Sequence, residues 1–117
     1  MISGMDSAIS ALRAFGKRMG VLADNVANAA GEGFKKSRTL MEDQEPGGVR
    51  VTLSRLDTPG PRVMEETCEG LEERELSNVN PEEEIAGALL TEKMFAANTK
   101  VVKTEEERIR SVLDIVG

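Results

Sequence analysis

Residues 10–38, SALRAFGKRMGVLADNVANAAGEGFKKSR, decide how this chain begins to fold. Apolar side chains recur there at alternating steps of three and four residues, which is the spacing of a helix with one apolar edge. With the residues just before the stretch, the series is Met5, Ala8, Leu12, Phe15, Met19, Leu22 and Val26. The pattern predicts an amphipathic helix from the N-terminus to about Ala30, roughly 40 Å long at ~1.5 Å per residue. An apolar edge of this length needs a partner helix.

The end of this predicted helix has an unusual composition. Asn25 and Asn28 occupy positions where each disfavours a helix by up to ~0.7 kcal/mol relative to Ala. Gly31 follows, and we expect it to end the helix in a left-handed conformation. We hypothesise that the two amides reach backbone or neighbouring-subunit groups at the helix end. The alternative is that they end the helix through local hydrogen bonds.

A second amphipathic helix is predicted at the other end of the chain. The sequence NPEEEI, residues 80–85, is a good helix start, because Asn80 can cap it and proline fits the first helical position. The apolar edge then continues through Ile85, Leu89, Phe95, Val102 and Ile109. We therefore predict a mainly α fold, in which two long terminal amphipathic helices flank a short β-rich middle segment. Its predicted segments are residues 1–30, 31–79 and 80–117.

The middle segment, residues 31–79, carries strand and turn signals. The sequence VRVTLSRL, residues 49–56, alternates apolar and polar side chains as a half-buried strand does. The breaker DTPGP follows, and RVME, residues 62–65, reads as a short return strand. This pattern predicts one small β-hairpin. The acidic residues 67–77 are expected to be weakly structured and flexible.

Composition argues against several classes of function. The net charge of −6 disfavours nucleic acid as a partner. The chain has no histidine and one cysteine, Cys68, which removes the commonest general base and the commonest transition-metal ligands. The glutamates at 82–84 and 105–107 read as helix-capping and solvated residues, because consecutive side chains diverge around a helix. We expect no catalytic residue, metal, cofactor or small-molecule substrate.

The two terminal stretches together resemble the bacterial flagellar rod and hook protein family. In that family, an amphipathic helix ends in an Asn-x-x-Asn step followed by a Gly-Phe-Lys turn, which here are Asn25, Asn28, Gly33, Phe34 and Lys35. Residues 75–116 resemble the family's other end. The matching residues there include Ser77, Asn78, Val79, Asn80, Phe95, Asn98, Thr99 and Lys100. Both signatures occur in the expected order and at the expected ends, which makes the joint resemblance specific.

The resemblance implies a mechanical function. It implies that the terminal helices form an antiparallel coiled coil and that copies pack helically with each other and with other rod proteins in the basal body. It also implies export by the flagellar type III apparatus without a cleaved signal. The first 20 residues agree, since charged residues interrupt the apolar stretch that a secretory signal needs. The short length and residues 48–66 are similar to the small proteins of the proximal rod.

The residues expected at subunit interfaces are the apolar edges and the family motifs. They are Met5, Leu12, Phe15, Met19, Leu22, Asn25, Val26, Asn28, Gly33, Phe34, Asn78, Asn80, Ile85, Leu89, Phe95, Asn98, Val102 and Ile109. The alternative function is a non-flagellar coiled-coil adaptor that dimerises. An adaptor would form a closed dimer at all concentrations, whereas a rod subunit would form open-ended assemblies.

Overall fold

A computed structural model describes residues 2–117, so Met1, the first residue of the predicted N-terminal helix, lies outside the described residues. The chain contains two long helices and, between them in sequence, four strands. The order is α1 (Ile2–Ala27), β1 (Ser37–Asp43), β2 (Val49–Arg55), β3 (Arg62–Thr67), β4 (Gly70–Glu75) and α2 (Pro81–Val116). The predicted pair of long terminal helices is confirmed.

The two helices pack side by side and run in opposite directions. Asn25, near the end of α1, contacts Glu84 at the start of α2, and the Leu22 methyl groups face Gly87. Farther along, Phe15 lines the same cleft as Phe95. Since α2 has 36 residues and α1 has 26, this register leaves the last turns of α2 beyond the start of α1. The supercoiled packing of a coiled coil stays a prediction.

The helix ends follow local hydrogen bonding. Asn80 caps α2 by accepting a hydrogen bond from the Glu82 N–H at 3.1 Å. Helix α1 ends at Ala27, after which the N–H of Ala29 bonds to a carbonyl only three residues back. The prediction that Gly31 supplies the left-handed residue is wrong, because Gly33 has that conformation, with φ of +64°. A left-handed backbone is a conformation that glycine adopts without steric cost.

The prediction of one central hairpin is wrong, because the described residues contain two. β2 pairs antiparallel with β1, from Ser37 opposite Arg55 to Asp43 opposite Val49. β3 pairs antiparallel with β4, from Arg62 opposite Glu75 to Thr67 opposite Gly70. The acidic residues 67–77, expected to be weakly structured, therefore contain a strand. The segment between Arg55 and Arg62 does not return the chain to β2 as a hairpin turn would. Its Gly60 instead packs against the backbone of Leu76, just after β4.

The first hairpin lies along α1. The Ser10 hydroxyl oxygen accepts a hydrogen bond from the Val49 N–H at 2.9 Å and donates one to the Val49 carbonyl at 3.2 Å. At the other end of the hairpin, Ser37 bonds to Asn25. Helix α1 is therefore packed between α2 on one side and the first hairpin on another.

The second hairpin projects from the rest of the molecule. Strands β3 and β4 contact each other, but neither packs against any other helix or strand of the described chain. The molecule measures 80 × 24 × 17 Å, whereas α2 alone accounts for ~54 Å. A hairpin of six-residue strands adds ~20 Å, so it accounts for most of the remaining length.

The apolar core of the described residues is small. Ala8 and Ala14 are the buried apolar side chains among residues 4–117, and most large apolar side chains of α2 are exposed. Neither described helix combines the length and apolarity that a membrane span requires. Much of the apolar surface of α2 is accessible to other molecules.

Candidate assembly interface

Asn25 joins three segments of the chain. Its Nδ2 donates hydrogen bonds to the Ser37 carbonyl at 2.8 Å and to Glu84 Oε2 at 3.1 Å, and its Oδ1 accepts one from the Ser37 N–H at 3.1 Å. The residue is 1% exposed. The amide thus reaches backbone groups beyond its own helix, and these groups belong to the same chain.

Asn28 makes local contacts instead. Its Nδ2 donates to the Asp24 carbonyl at 2.9 Å and to Asp24 Oδ1 at 3.2 Å. The two motif asparagines therefore differ in what they do within the chain. Asn25 fixes the end of α1 to its neighbours, and Asn28 satisfies groups on the last turn of the same helix.

Asn78 is a second amide that joins separate segments. Its Nδ2 donates to the carbonyls of Leu56 and Thr58 at 2.7 and 3.0 Å, and its Oδ1 accepts from the Lys36 N–H at 2.7 Å. Its backbone N–H donates to the Phe34 carbonyl at 3.3 Å. The motif around Phe34 and the motif around Asn78, 44 positions apart in the sequence, thus form one junction at the base of the second hairpin.

Glu75 and Gly60 complete this junction. Lys35 Nζ bonds to Glu75 Oε1, and the Gly60 N–H donates to the same oxygen at 3.0 Å. These bonds, that of Lys35 first, lower the pKa of Glu75 below its ordinary value of 4.5. A Cβ at position 60 would lie 1.9 Å from the Leu76 carbonyl oxygen, so the junction requires glycine there.

Glu84 is a buried residue of the helix contact that the sequence interpretation missed. The interpretation of residues 82–84 as helix-capping and solvated is wrong for the solvation of Glu84, which is 7% exposed. The reason is that its carboxylate accepts the Asn25 bond inside the helix contact. The sequence signal that could identify Glu84 as buried is its spacing of seven residues from Thr91. Thr91 is 1% exposed, and its hydroxyl donates a hydrogen bond to the Gly87 carbonyl at 2.7 Å.

The side chains that α2 buries against α1 near its start are therefore small or polar. Its large apolar side chains lie to one side of the helix contact. Ile85, Leu89 and Phe95 are 52%, 58% and 44% exposed. They line an open channel along one side of the helix pair, which we call the apolar groove. Its lining residues are Phe15, Met19, Leu22, Ala23, Val26, Ala27, Ile85, Ala88, Leu89, Glu92 and Phe95, with Gly16 and Thr91 at one end.

The other predicted interface residues lie along the helices or at the junction. Met5, Leu12, Val102 and Ile109 are half-buried, which is consistent with positions at the edge of the helix contact. Asn98 is half-buried and donates to the Met94 carbonyl at 3.0 Å, a bond within its own helix. Asn80 and Gly33 are exposed, and Phe34 is half-buried.

The end of α2 that extends past α1 is also apolar and exposed. Leu113, Ile115 and Val116 are 63%, 82% and 81% exposed. Across residues 2–117, no group of three His, Cys, Asp or Glu side chains is arranged to hold a metal ion. The exposed apolar side chains of α2 offer area for association, since contiguous exposed apolar patches mark interaction sites.

Two protein-family models match the chain at its two ends. The model described as "Flagella basal body rod protein" matches residues 5–35, and that described as "Flagellar basal body rod FlgEFG protein C-terminal" matches residues 74–115. Together they cover more than half of the chain, including most of both helices and the residues Asn25, Phe34 and Asn78. Most of both hairpins lies between the two matches. No curated protein matches the sequence.

Proposed function

Because the chain belongs to the flagellar basal-body rod family, we propose that it is a rod subunit that assembles helically with copies of itself and other axial proteins through its terminal helices. The matched families are structural proteins of the rod. Membership therefore gives the chain a structural role and a location at the flagellar basal body.

The apolar groove is the observation that carries the proposal. Ile85, Leu89 and Phe95 remain about half exposed although the two helices are paired. Complete burial of a fully exposed side chain of this kind contributes ~1.5–3 kcal/mol, so covering the exposed half contributes roughly half as much, and a few of them per contact favour assembly. When the two surfaces in a contact differ, repetition without closure gives a helical filament.

Three finer features belong to the same proposal. The helix pair forms an antiparallel coiled coil in the assembled rod. The subunit leaves the cytoplasm through the flagellar type III export apparatus, as other rod proteins do. The short chain and residues 48–66 favour a place among the small proteins of the proximal rod. Nucleic acid and small-molecule substrates have no part in this function.

Mass spectrometry of purified hook–basal bodies tests the proposal with the untagged protein. We expect the chain to be present in wild-type basal bodies and a deletion strain to lose motility. A Leu89→Asp variant should fold normally by circular dichroism but be missing from basal bodies, because its charge opposes burial of the apolar groove. Leu40→Asp is the matched control, since Leu40 is similarly exposed but lies on the first hairpin.

The opposite result would favour the adaptor function. In that case the protein would be absent from basal bodies, the deletion strain would swim normally, and the purified chain would have the mass of a dimer at every concentration.

A further inference from the structure

We propose that the second hairpin of one copy docks into a groove between α1 and β2 of a second copy. This groove, the α1–β2 groove, lies on a different side of α1 from the apolar groove. It is lined by Ile9, Arg13 and Lys17 of α1 and by Val49, Val51 and Leu53 of β2. This inference rests on the proposed function, since both require self-assembly, but the hairpin contact is separate from the apolar groove.

The second hairpin lacks a packing partner within the described chain. Neither β3 nor β4 packs on another helix or strand, and Val63, Met64 and Leu71 are 41%, 63% and 70% exposed. An isolated two-stranded hairpin is only marginally stable in water. Apolar side chains on a projecting hairpin are therefore best explained by a surface that covers them.

That surface belongs to another molecule. The base of the hairpin is fixed at the junction, where Glu75 is bonded to Lys35 and Gly60. From there the hairpin extends the molecule to 80 Å, while the α1–β2 groove runs along α1. Folding the hairpin back onto the groove of its own chain would break these junction bonds, so we assign it to the same groove on a second copy.

The charge of the hairpin selects the kind of surface. Residues 62–75 contain six glutamates and two arginines. Glu65 pairs with Arg74 at 2.7 Å and Glu73 with Arg62 at 3.5 Å. Glu66, Glu69 and Glu72 have no cationic partner within 4 Å among residues 4–117.

The middle of the α1–β2 groove carries positive charge beside apolar side chains of β2. Arg13 and Lys17 lie one helical turn apart on its wall, and in the described part of the chain neither forms a salt bridge. Asp6 and Asp24 lie toward its two ends. Val49, Val51 and the 62%-exposed Leu53 supply apolar area for Met64 and Leu71.

Strand β2 adds a backbone contribution. It is one of two strands in its sheet, so one of its edges pairs with β1 and the other, which Ser10 bonds at Val49, has no partner strand. A free edge accepts an extended segment from another chain through main-chain hydrogen bonds. Hairpin and groove are different surfaces of one molecule, so each docked copy presents a further hairpin and the contact propagates.

Charge reversal tests this contact, with Leu89→Asp present in every protein so that the apolar groove does not contribute. We compare the Leu89→Asp parent with R13E/K17E, with E69K/E72K and with the variant carrying all four reversals, by sedimentation velocity in about 50 mM and 500 mM salt. We expect the parent to associate in low salt and to weaken in high salt, because salt screens exposed charges. Each double reversal should weaken association at least tenfold, and the fourfold variant should regain it.

K100E/K103E is the matched control, because it makes the same charge change on α2, away from the groove. It should associate as the parent does, and circular dichroism should give the same helix content for all variants. The proposal is overturned if the parent stays monomeric in low salt, if the control weakens association as much as R13E/K17E does, or if the fourfold variant does not recover. These outcomes are independent of whether the protein is found in basal bodies.

Discussion

At the scale of single residues, the family motif acts largely through side-chain amides. Asn25 and Asn78 each place one amide between segments that are distant in sequence, and each both donates to and accepts from backbone groups. A primary amide suits this position because it offers two donors and an acceptor without a charge to desolvate. The loss of helix propensity at Asn25 is therefore offset by tertiary hydrogen bonds.

Replacing Asn25 with Ala should destabilise the protein by about 2–3 kcal/mol. The change leaves the Ser37 backbone and the buried Glu84 carboxylate without their partner, and each unsatisfied buried polar group costs ~1–3 kcal/mol. Urea unfolding monitored by circular dichroism measures the effect. Asn28→Ala is the matched control and should cost no more than ~1 kcal/mol, since its bonds are local. Equal losses from the two changes would contradict the role assigned to Asn25.

Glu75 should make stability depend on pH in the acid range. Its pKa is lowered in the folded protein by the Lys35 bond, so its contribution is fully present above the ordinary value of 4.5 and is lost as pH falls through the folded value. The thermal midpoint of Glu75→Gln should therefore lie below that of the wild type at pH 6–7. The difference should shrink as the pH falls below 4.5.

Thermal scans at several pH values would check the Glu75 prediction. Glu106→Gln, whose ion pair with Arg110 is exposed, controls for the loss of one negative charge. A difference between wild type and Glu75→Gln that stays constant down to pH 3 would rule out the contribution from Glu75.

The sequence predicted some residue roles but not others. The position of the asparagines in an otherwise Ala-rich helix end identified them as unusual, and Asn25 is indeed buried. Glu84 was not separable from Glu82 and Glu83 by residue type, because its burial depends on α1 lying opposite. Gly60 was recognised as part of a turn, but its close approach to Leu76 depends on tertiary structure.

At the scale of elements, the helices were predictable and the strand pairing was not. A period of three to four residues is a local property, and it located both α1 and α2 within a few residues. Strand pairing depends on a surface. β1 contains Leu40 and Met41 side by side, so it lacks clean alternation, and α1 provides the surface that β1 and β2 share. β4 lacked an apolar pattern altogether, because β3 and β4 pack on no helix.

Removing the second hairpin should leave the remaining molecule intact. Arg62 and Glu75 face each other across the base, so a two-residue Asn-Gly turn can replace residues 63–74. Since the hairpin packs on no other described element, we expect the same helical circular dichroism signal and an unfolding free energy within ~0.5 kcal/mol of the wild type.

The first hairpin provides the matched control for that deletion. Ser37 and Arg55 also face each other, so the same turn can replace residues 38–54. This deletion removes the Ser10–Val49 bonds and uncovers one side of α1, so it should destabilise the helices markedly. If instead the shorter second-hairpin deletion unfolded the helix pair, the two hairpins would not be independent as the contacts indicate.

At the scale of the whole molecule, the chain is extended and poorly filled. Its radius of gyration is 20.9 Å, whereas a compact chain of this length has ~13 Å. The buried apolar side chains among residues 4–117 are two alanines, so burial within one copy contributes little stability. Such a shape buries little apolar surface in a monomer and leaves long faces of the helices exposed. This agrees with a subunit that buries these faces against neighbours when it assembles.

The stability of the isolated chain should consequently rise with protein concentration. A species that binds only the folded state shifts unfolding by mass action, and here that species is a further copy. Over about a hundredfold range of concentration, the thermal midpoint of the wild type should increase by several degrees. In about 500 mM salt, which screens the charged hairpin contact, Leu89→Asp should lose most of this dependence. It should keep a similar midpoint in dilute solution, because Leu89 is 58% exposed in the single chain. A wild-type midpoint independent of concentration, with a monomeric mass throughout, would show that the apolar groove does not drive self-association.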